Sequence, residues 1–556
     1  MTRATFFGLE IGKTGLTMSQ LGLDVTAHNI ANVDTKGYTR QRIVSTAYDP
    51  FTTIGRALPV DQARVGGGVH VMIHDQIRSA YLDRRYRTEN TSNAYWQQRV
   101  ESLSYLESYF DNVNEETSLN YALANFFRAM KVLAEDPVEG APRTLLQTAG
   151  KDMVQQMNLV YEGLIDLQDI QNTAVTVTVE RINRIADEIA LLNKEIYGFE
   201  VTGYVANDLR DKRNVLLDEL SSLADIEYRD YPDGKGNTKF EVSMGGKVLV
   251  DHVDTWRLGV MEVPNPIPEL AASGEAPVWQ VVWMKEGAGG GLEPDPANPL
   301  ALKGGELKAY IDMRDGDGVG SNPKGIPYYI EMLNNLARAL VQEINAVHAQ
   351  GWTDHPVSGS NTGIVFFEDL GAGTLTYLYE DPDNPALITG AVYTVDQEVL
   401  KNITAGNIRL SDEIEENAYN IACSSSRIVK HGESQQLQRG NNENMNALYA
   451  LFLKKDIALG TVATGGISIG SFDGYVTSIR FDVGNLLDNC IKTADNCNTL
   501  TVAAENQRLA VAGVSLDEEM TNLIKYQHAY NGAARVITAM DDALDRLING
   551  TGRVGL

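Results

Sequence analysis

The sequence predicts a multidomain, mixed α and β protein: long coiled-coil-like α-helices at both ends, an α-helical bundle, and antiparallel β domains inserted into it. Three observations carry that reading. At roughly 100–200 residues per domain, 556 residues are too many for one core. Thirteen of the seventeen prolines fall between Pro232 and Pro385, with none between Pro142 and Pro232 and none after Pro385. Proline costs about 3 kcal/mol inside a helix, so long helices are permitted in both flanks and discouraged in the middle. Apolar residues step by three and four in the flanks and alternate in the middle. The expected division is an N-terminal axial helix in 1–45 paired with a C-terminal axial helix in 515–556. The helical bundle takes 46–225, 327–352 and 434–514, one β-rich domain takes 226–326, and a second β-rich segment takes 353–433.

In the first segment Leu9, Leu16, Leu23 and Ile30 recur every seven residues, the spacing of a coiled-coil seam. The stripe ends in an Asn-rich turn. His28, Asn29 and Asn32 read there as an ordinary capped helix end, asparagine tolerating left-handed geometry. After Gly66 to Gly68, VHVMIH reads as a strand, which separates His70 and His74 by about 13 Å, too far to share a metal. Arg84, Arg85 and Arg87 form a basic cluster, read as a charged helix face or a contact to an acidic neighbouring subunit.

Met153, Met157, Val160, Leu164 and Leu167 step like a helix face, as do Ile182, Ile185, Ile189, Leu192 and Ile196. Between them Val175, Val177 and Val179 alternate like a strand, and the flanking stripes assign the stretch to helix. In the middle, KFEVSMGGKVLV and PVWQVVWM alternate between turn signals such as Asp233-Gly234 and read as antiparallel strands. Gly287 to Pro299 reads as loop or linker, because prolines follow its glycines where a phosphate cradle would need Lys-Ser/Thr and a helix. Asp312, Asp315 and Asp317 suggest calcium. A binding loop counted from Asp315 needs Glu at its twelfth position, where Ile326 stands, so a solvated turn is expected.

A helix runs from Tyr328 to Ala349, with Leu333, Leu336, Leu340, Ile344 and Val347 on one side and Gly351 as its stop. At the far end a register of four and three runs Leu516, Met520, Leu523, Gln527, Tyr530, Ala534, Ile537, Asp541, Leu544, Ile548. Such a helix is marginal alone and needs partners along its length: the N-terminal stripe, or neighbouring copies of the chain.

Composition narrows the function classes. Lys plus Arg at 47 against Asp plus Glu at 74 give a net charge of -27, which repels nucleic-acid phosphate and anionic lipid. The apolar run Ala447 to Leu453 is far short of the roughly 18 residues of a spanning helix. Glu10, Lys13 and three glycines interrupt the first sixteen residues, where a cleaved signal needs an apolar core. Cys490 and Cys497 stand seven apart on a helical pattern and are expected as free thiols, and Cys423 reads as one small residue among others. No cofactor, metal or nucleophile motif stands out, and no enzyme is expected.

Thr14 to Val44, TGLTMSQLGLDVTAHNIANVDTKGYTRQRIV, resembles the N-terminal signature of the flagellar rod, hook and hook-associated axial proteins. His28 to Val33 with Gly37 and Tyr38 match its central turn, and Lys36 stands where that family usually has proline. Gly513 to Ile548 is similar to the matching C-terminal signature. Five internal stretches, Gly68 to Arg87, Asn207 to Ser221, Gly304 to Asp315, Ile344 to Trp352 and Asn441 to Leu451, point to the member at the hook–filament junction. The resemblance implies a non-enzymatic, extracellular subunit, exported through the flagellar type III apparatus without a cleaved signal. It implies a homo-oligomeric ring whose partners are the hook protein, the second junction protein (hook-associated protein 3) and a cytoplasmic export chaperone. The two terminal stripes are then the assembly interface. Rival readings are an adhesin carried by the outer β domains, a hydrolase hidden in them, or another axial protein such as the hook protein.

Overall fold

The computed structural model describes residues 7–47, 67–110, 118–234, 238–274, 276–287, 291–353, 360–379, 388–427, 440–460 and 468–550. The first six positions, Gly66, positions 288–290 of the glycine-rich stretch and the last six of the C-terminal segment lie outside the described residues.

Helix α1 (Phe7–Ala31) leads into an antiparallel hairpin of β1 (Gln41–Ala47) and β2 (Val69–Gln76). Four helices follow: α2 (Ala80–Phe110), α3 (Leu119–Glu135), α4 (Gly140–Glu200) and α5 (Asn207–Leu223). A first sheet orders β3 (Ile226–Pro232), β4 (Thr238–Met244), β5 (Lys247–Asp251) and β6 (Asp254–Thr255) in sequence. A second holds β7 (Leu258–Val263), β8 (Val278–Glu286) and β9 (Leu292–Pro299), with α6 (Pro268–Ser273) linking β7 to β8. Helices α7 (Glu306–Asp315) and α8 (Ile326–His348) precede the hairpin of β10 (Gly373–Tyr379) and β11 (Ile388–Val395). Short α9 (Gln397–Leu400), α10 (Asp412–Glu416) and α11 (Glu443–Leu453) and the pair β12 (Ile457–Ala458) and β13 (Ile469–Gly470) come next. The chain ends in α12 (Phe472–Ala512) and α13 (Leu516–Gly550).

Helix α4 is the spine. Its 61 residues extend about 90 Å at 1.5 Å each and thread two separate cores. The first half carries Leu146, Met153, Met157 and Leu164 into a core with α3, α8, α11 and α12, centred on Phe126, Phe127, Phe366, Phe367 and Phe472. The second half carries Val175, Val179, Ile182 and Ile189 into a core with α5 and the two sheets, including Phe240, Val242 and Leu249. The strand-like alternation at 175–179 is overridden because Val175, Thr178, Val179 and Ile182 share one helix face while Val177 is 59% exposed.

Three expectations are corrected. The segment Gly287 to Pro299 is not all loop: Leu292–Pro299 is β9, at the edge of its sheet, where Pro294, Pro296 and Pro299 need no inward N–H and a register shift against β8 absorbs the irregularity. The Asp312 region is not simply a solvated turn. Asp312 is buried in α7 and accepts from Tyr95 Oη at 2.8 Å and Lys308 Nζ at 2.5 Å. Arg87 is no part of a charged outer face: it is 3% exposed and paired with Asp218. The three cysteines are free thiols, all buried.

Candidate assembly interface

Helices α1 and α13 pack along each other, and the residues of α1 at the contact are small. Gly8, Gly12, Gly15, Ser19, Gly22, Thr26 and Asn29 follow a strict four-three alternation, so they form one line down the helix. A Cβ on Gly8 would overlap Met540, on Gly12 would lie 2.8 Å from Ile537 Cγ1, and on Gly22 2.5 Å from the Tyr526 ring. At Gly15 it would stand 3.6 Å from Ala533 Cβ. The facing residues Glu519, Tyr526, Ala533 and Met540 descend by sevens as the glycines ascend by sevens, so the pair is antiparallel. A side chain at Gly12 or Gly22 would have to displace Ile537 or the Tyr526 ring.

The predicted apolar stripe is offset from that line. Leu9, Leu16, Leu23 and Ile30 each follow a contact residue by one position, about 100° around the helix, and all are half-buried. On α13 the corresponding positions after Glu519, Tyr526, Ala533 and Met540 are Met520, Gln527, Ala534 and Asp541. In an antiparallel pair the same rotation on both helices leads to the same side, so the two predicted stripes share one face. Leu516 and Met520 are about half exposed and Ile548 is 65% exposed, while Leu523, Tyr530, Ala534, Ile537 and Leu544 are half-buried toward the contact. The opposite side of α1 is occupied by the hairpin: Val25 is buried, and Gly68 and Val69 close on Ile11 and Thr14.

The turn after α1 joins this pair to the body. Asn29 is 1% exposed and uses its whole amide: Nδ2 donates to Gln41 O at 2.9 Å and Glu519 Oε2 at 3.0 Å, while Oδ1 accepts from Gln41 N at 3.0 Å and Tyr38 Oη at 2.8 Å. Tyr38 Oη also lies 3.0 Å from His28 Nδ1. Asn32 Nδ2 donates to His28 O at 3.0 Å, which ends the helix, and Gly37 takes φ 81° with Val215 closed against it. The buried Glu519 carboxylate accepts from Arg40 Nε at 2.8 Å. So Asn29 is the hub of this turn rather than a simple cap, a role that only the distant partners Glu519 and Gln41 reveal.

Helix α5 completes the collar. Asp211 accepts from Thr39 N at 3.0 Å and Thr39 Oγ1 at 2.6 Å, and Asp208 accepts from Gln41 Nε2 at 2.9 Å. Burial raises the Asp211 pKa, opposed by the Thr39 hydrogen bonds and Arg78. Burial, then the carboxylates of Asp208, Asp211 and Glu519, raises the Tyr38 phenol and keeps it protonated. Two turns beyond Asp211, Asp218 bridges Arg87 Nε at 2.7 Å and Arg508 Nη1 at 2.6 Å, tying α2, α5 and α12 together. The recognised stretches Thr14–Val44, Gly68–Arg87, Asn207–Ser221 and Gly513–Ile548 therefore meet at this collar. Sequence reasoning passed over Gly8, Gly15 and Gly22, although their seven-residue spacing is visible, and passed over Glu519, Arg40 and Asp211, whose partners lie hundreds of residues away. Among the described residues no group of three metal-ligating side chains occurs and no helix is long and apolar enough to cross a membrane.

Residues 103–367 match the family described as the flagellar hook-associated protein FlgK helical domain. Residues 9–39 match the flagella basal body rod protein family, and 505–550 the flagellar basal body rod FlgEFG protein C-terminal family. Flagellar hook-associated protein 1 of Bacillus subtilis is 30% identical over 99% of both chains. Its namesake in Salmonella typhimurium is 23% identical over 96% of this chain and 98% of its own. The structure of the flagellar hook junction protein FlgK from Burkholderia pseudomallei shares the fold, with a TM-score of 0.56 at 15% identity, covering 77% of this chain and all of that one. With a relative at 30% identity along its entire length and flagellar signatures at both helical ends, the chain belongs to the flagellar hook-associated protein 1 family.

Proposed function

We propose that this chain is the structural subunit that joins hook to filament, and that its copies assemble into a ring through the uncovered side of the α1–α13 pair. The contact residues in this reading are Leu9, Leu16, Leu23 and Ile30 on α1, with Leu516, Met520, Leu523, Tyr530, Ala534, Ile537, Leu544 and Ile548 on α13. The observation that carries it is the shared apolar side of the pair, opposite the hairpin, with Leu516 and Met520 about half exposed. Burying such residues against a neighbour stabilises each by roughly 1.5–3 kcal/mol when burial is complete, so several together order a pair that is marginal alone.

The subunit is extracellular after export without a cleaved signal, and its neighbours are the hook protein on one side and hook-associated protein 3 on the other, with an export chaperone in the cytoplasm. Its mechanism is coupled association and ordering of the terminal helices, with no chemical step. Leu23→Asp or Leu523→Asp tests this in cells whose own copy is deleted. Hooks that end without filaments, with the variant still folded by circular dichroism, are the expected result. Motile cells with normal filaments would overturn the assignment of this face.

A further inference from the structure

A ring joins unlike faces: in head-to-tail contact each copy offers one patch to the neighbour before it and a different patch to the neighbour after it. The apolar side of the α1–α13 pair is one such patch, and its counterpart has to lie across the molecule. On α1, Leu9, Leu16, Leu23 and Ile30 each follow a residue of the contact line by one position, whereas Ile11, Thr14, Val25 and His28 each precede one. At 100° per residue the two sets lie about 200° apart around the helix. Ile11 and Thr14 are covered by the hairpin and Val25 is buried, but His28 opens onto a cleft.

That cleft holds about 680 Å³ between the turn and the α4–α5 pair, with Leu191 and Leu192 on one wall, Val215 and Leu216 on another, and Tyr38 beside them. Leu191 is 58% exposed, and Leu192, Val215 and Leu216 are half-buried. The collar groups that line it are already paired: Tyr38 Oη donates to Asn29 Oδ1, Asp211 accepts from Thr39, and Asp208 accepts from Gln41. What the cleft lacks is an apolar occupant. On the turn and on α5, Lys36 and Lys212 are exposed and form no ion pair among the described residues, while Glu188 stands on the α4 side.

The stripe ends at the same level. Ile30 follows Asn29 on α1, and Leu516 and Met520 flank Glu519, the carboxylate that Asn29 Nδ2 reaches at 3.0 Å. His28 and Asn32, on the same turn of α1, line the cleft. With the pair set along the ring axis, rotation keeps height, so the two patches meet without a shift along the helices. Asp517, exposed between Leu516 and Met520 in sequence, brings a carboxylate to the two lysines.

We propose that this cleft receives the collar end of a second copy's apolar stripe: Ile30, Leu516 and Met520 of that copy cover Leu191 and Leu192, and its Asp517 meets Lys36 and Lys212. This rests on the ring contact through the α1–α13 stripe and supplies the surface that the stripe binds.

The test places Leu191→Cys and Met520→Cys in two separately tagged full-length copies, expressed beside the unaltered chain so that rings form, and oxidises detached flagella mildly. A disulfide-linked pair carrying both tags is expected, with none from either variant alone. As the sole copy, Leu191→Asp should leave hooks without filaments, as Leu23→Asp does, with the variant still folded by circular dichroism. Absence of the mixed pair, or normal filaments with Leu191→Asp where Leu23→Asp loses them, overturns the cleft and leaves the stripe as the interface. Normal filaments with both variants overturn the ring contact through the stripe as well.

Discussion

The core around α3, α4 and α8 and the helix pair α1–α13 show two ways of joining helices. In the core, large side chains fill the space between backbones: Phe126 is wholly buried with ring centroids of Phe127 and Phe366 each 5.5 Å away. In the pair, glycines bring the backbones together and the leucines are pushed to the side, half-exposed, while the ordering contact is polar, Asn29 and Arg40 on Glu519. The core is finished within one chain. The pair leaves its apolar side for something else to cover, and this is what a subunit that polymerises through its ends requires.

The largest effect expected of a single change falls on the core. Phe126→Ala lowers unfolding free energy by about 3–5 kcal/mol in denaturant titration of the monomer. A change of similar size in the pair would show the two regions to be equally self-sufficient. Acid tests the core as well. His348 is fully buried and neutral, Nδ1 on Ile364 O at 2.7 Å and Nε2 accepting from Ala422 N at 2.9 Å, and burial lowers its pKa to about 4. Its folded pKa is below the unfolded value near 6.5, so its contribution is complete above that value and declines as pH falls toward 4. The total is about 3 kcal/mol, lost between those limits and absent in His348→Gln, by denaturant midpoints against pH.

In the pair, Glu519→Ala removes the acceptor of Arg40 Nε and one of the two acceptors of the Asn29 amide, and costs about 1–3 kcal/mol. The loss should appear as faster amide exchange in α1 and α13 with an unchanged melting temperature for the core. Gly22→Leu, which drives a side chain into Tyr526, should do the same. Smallest of all in the monomer is Leu16→Gln, about 0.5 kcal/mol or less, although it should clearly weaken ring formation measured by sedimentation. A large monomer defect from Leu16→Gln would mean that its face is already covered within the chain.

What was legible in the sequence follows the same division. Helix faces that meet their own core announce themselves by period, as at Met153 to Leu167, and the absence of proline let α4 be read through its strand-like valines. The strand β9 was hidden because its prolines, disqualifying for a central strand, are harmless at an edge. Buried polar partners were hidden for another reason. Asp211 with Thr39, Asp312 with Tyr95 and Glu519 with Asn29 join residues 172, 217 and 490 positions apart, and local pattern carries no information about such pairs. The leucine stripe was legible and the glycine line beside it was in plain view, but only the packed helices show which one meets α13.

Amide hydrogen exchange along Phe7–Ala31 and Leu516–Gly550, compared between the free chain and the assembled ring, bears most directly on the claim that neighbouring copies complete this pair. Fast exchange in the free chain and strong protection in the ring, with the core protected in both, is the predicted result. Ends already as protected in the free chain as in the ring would contradict it.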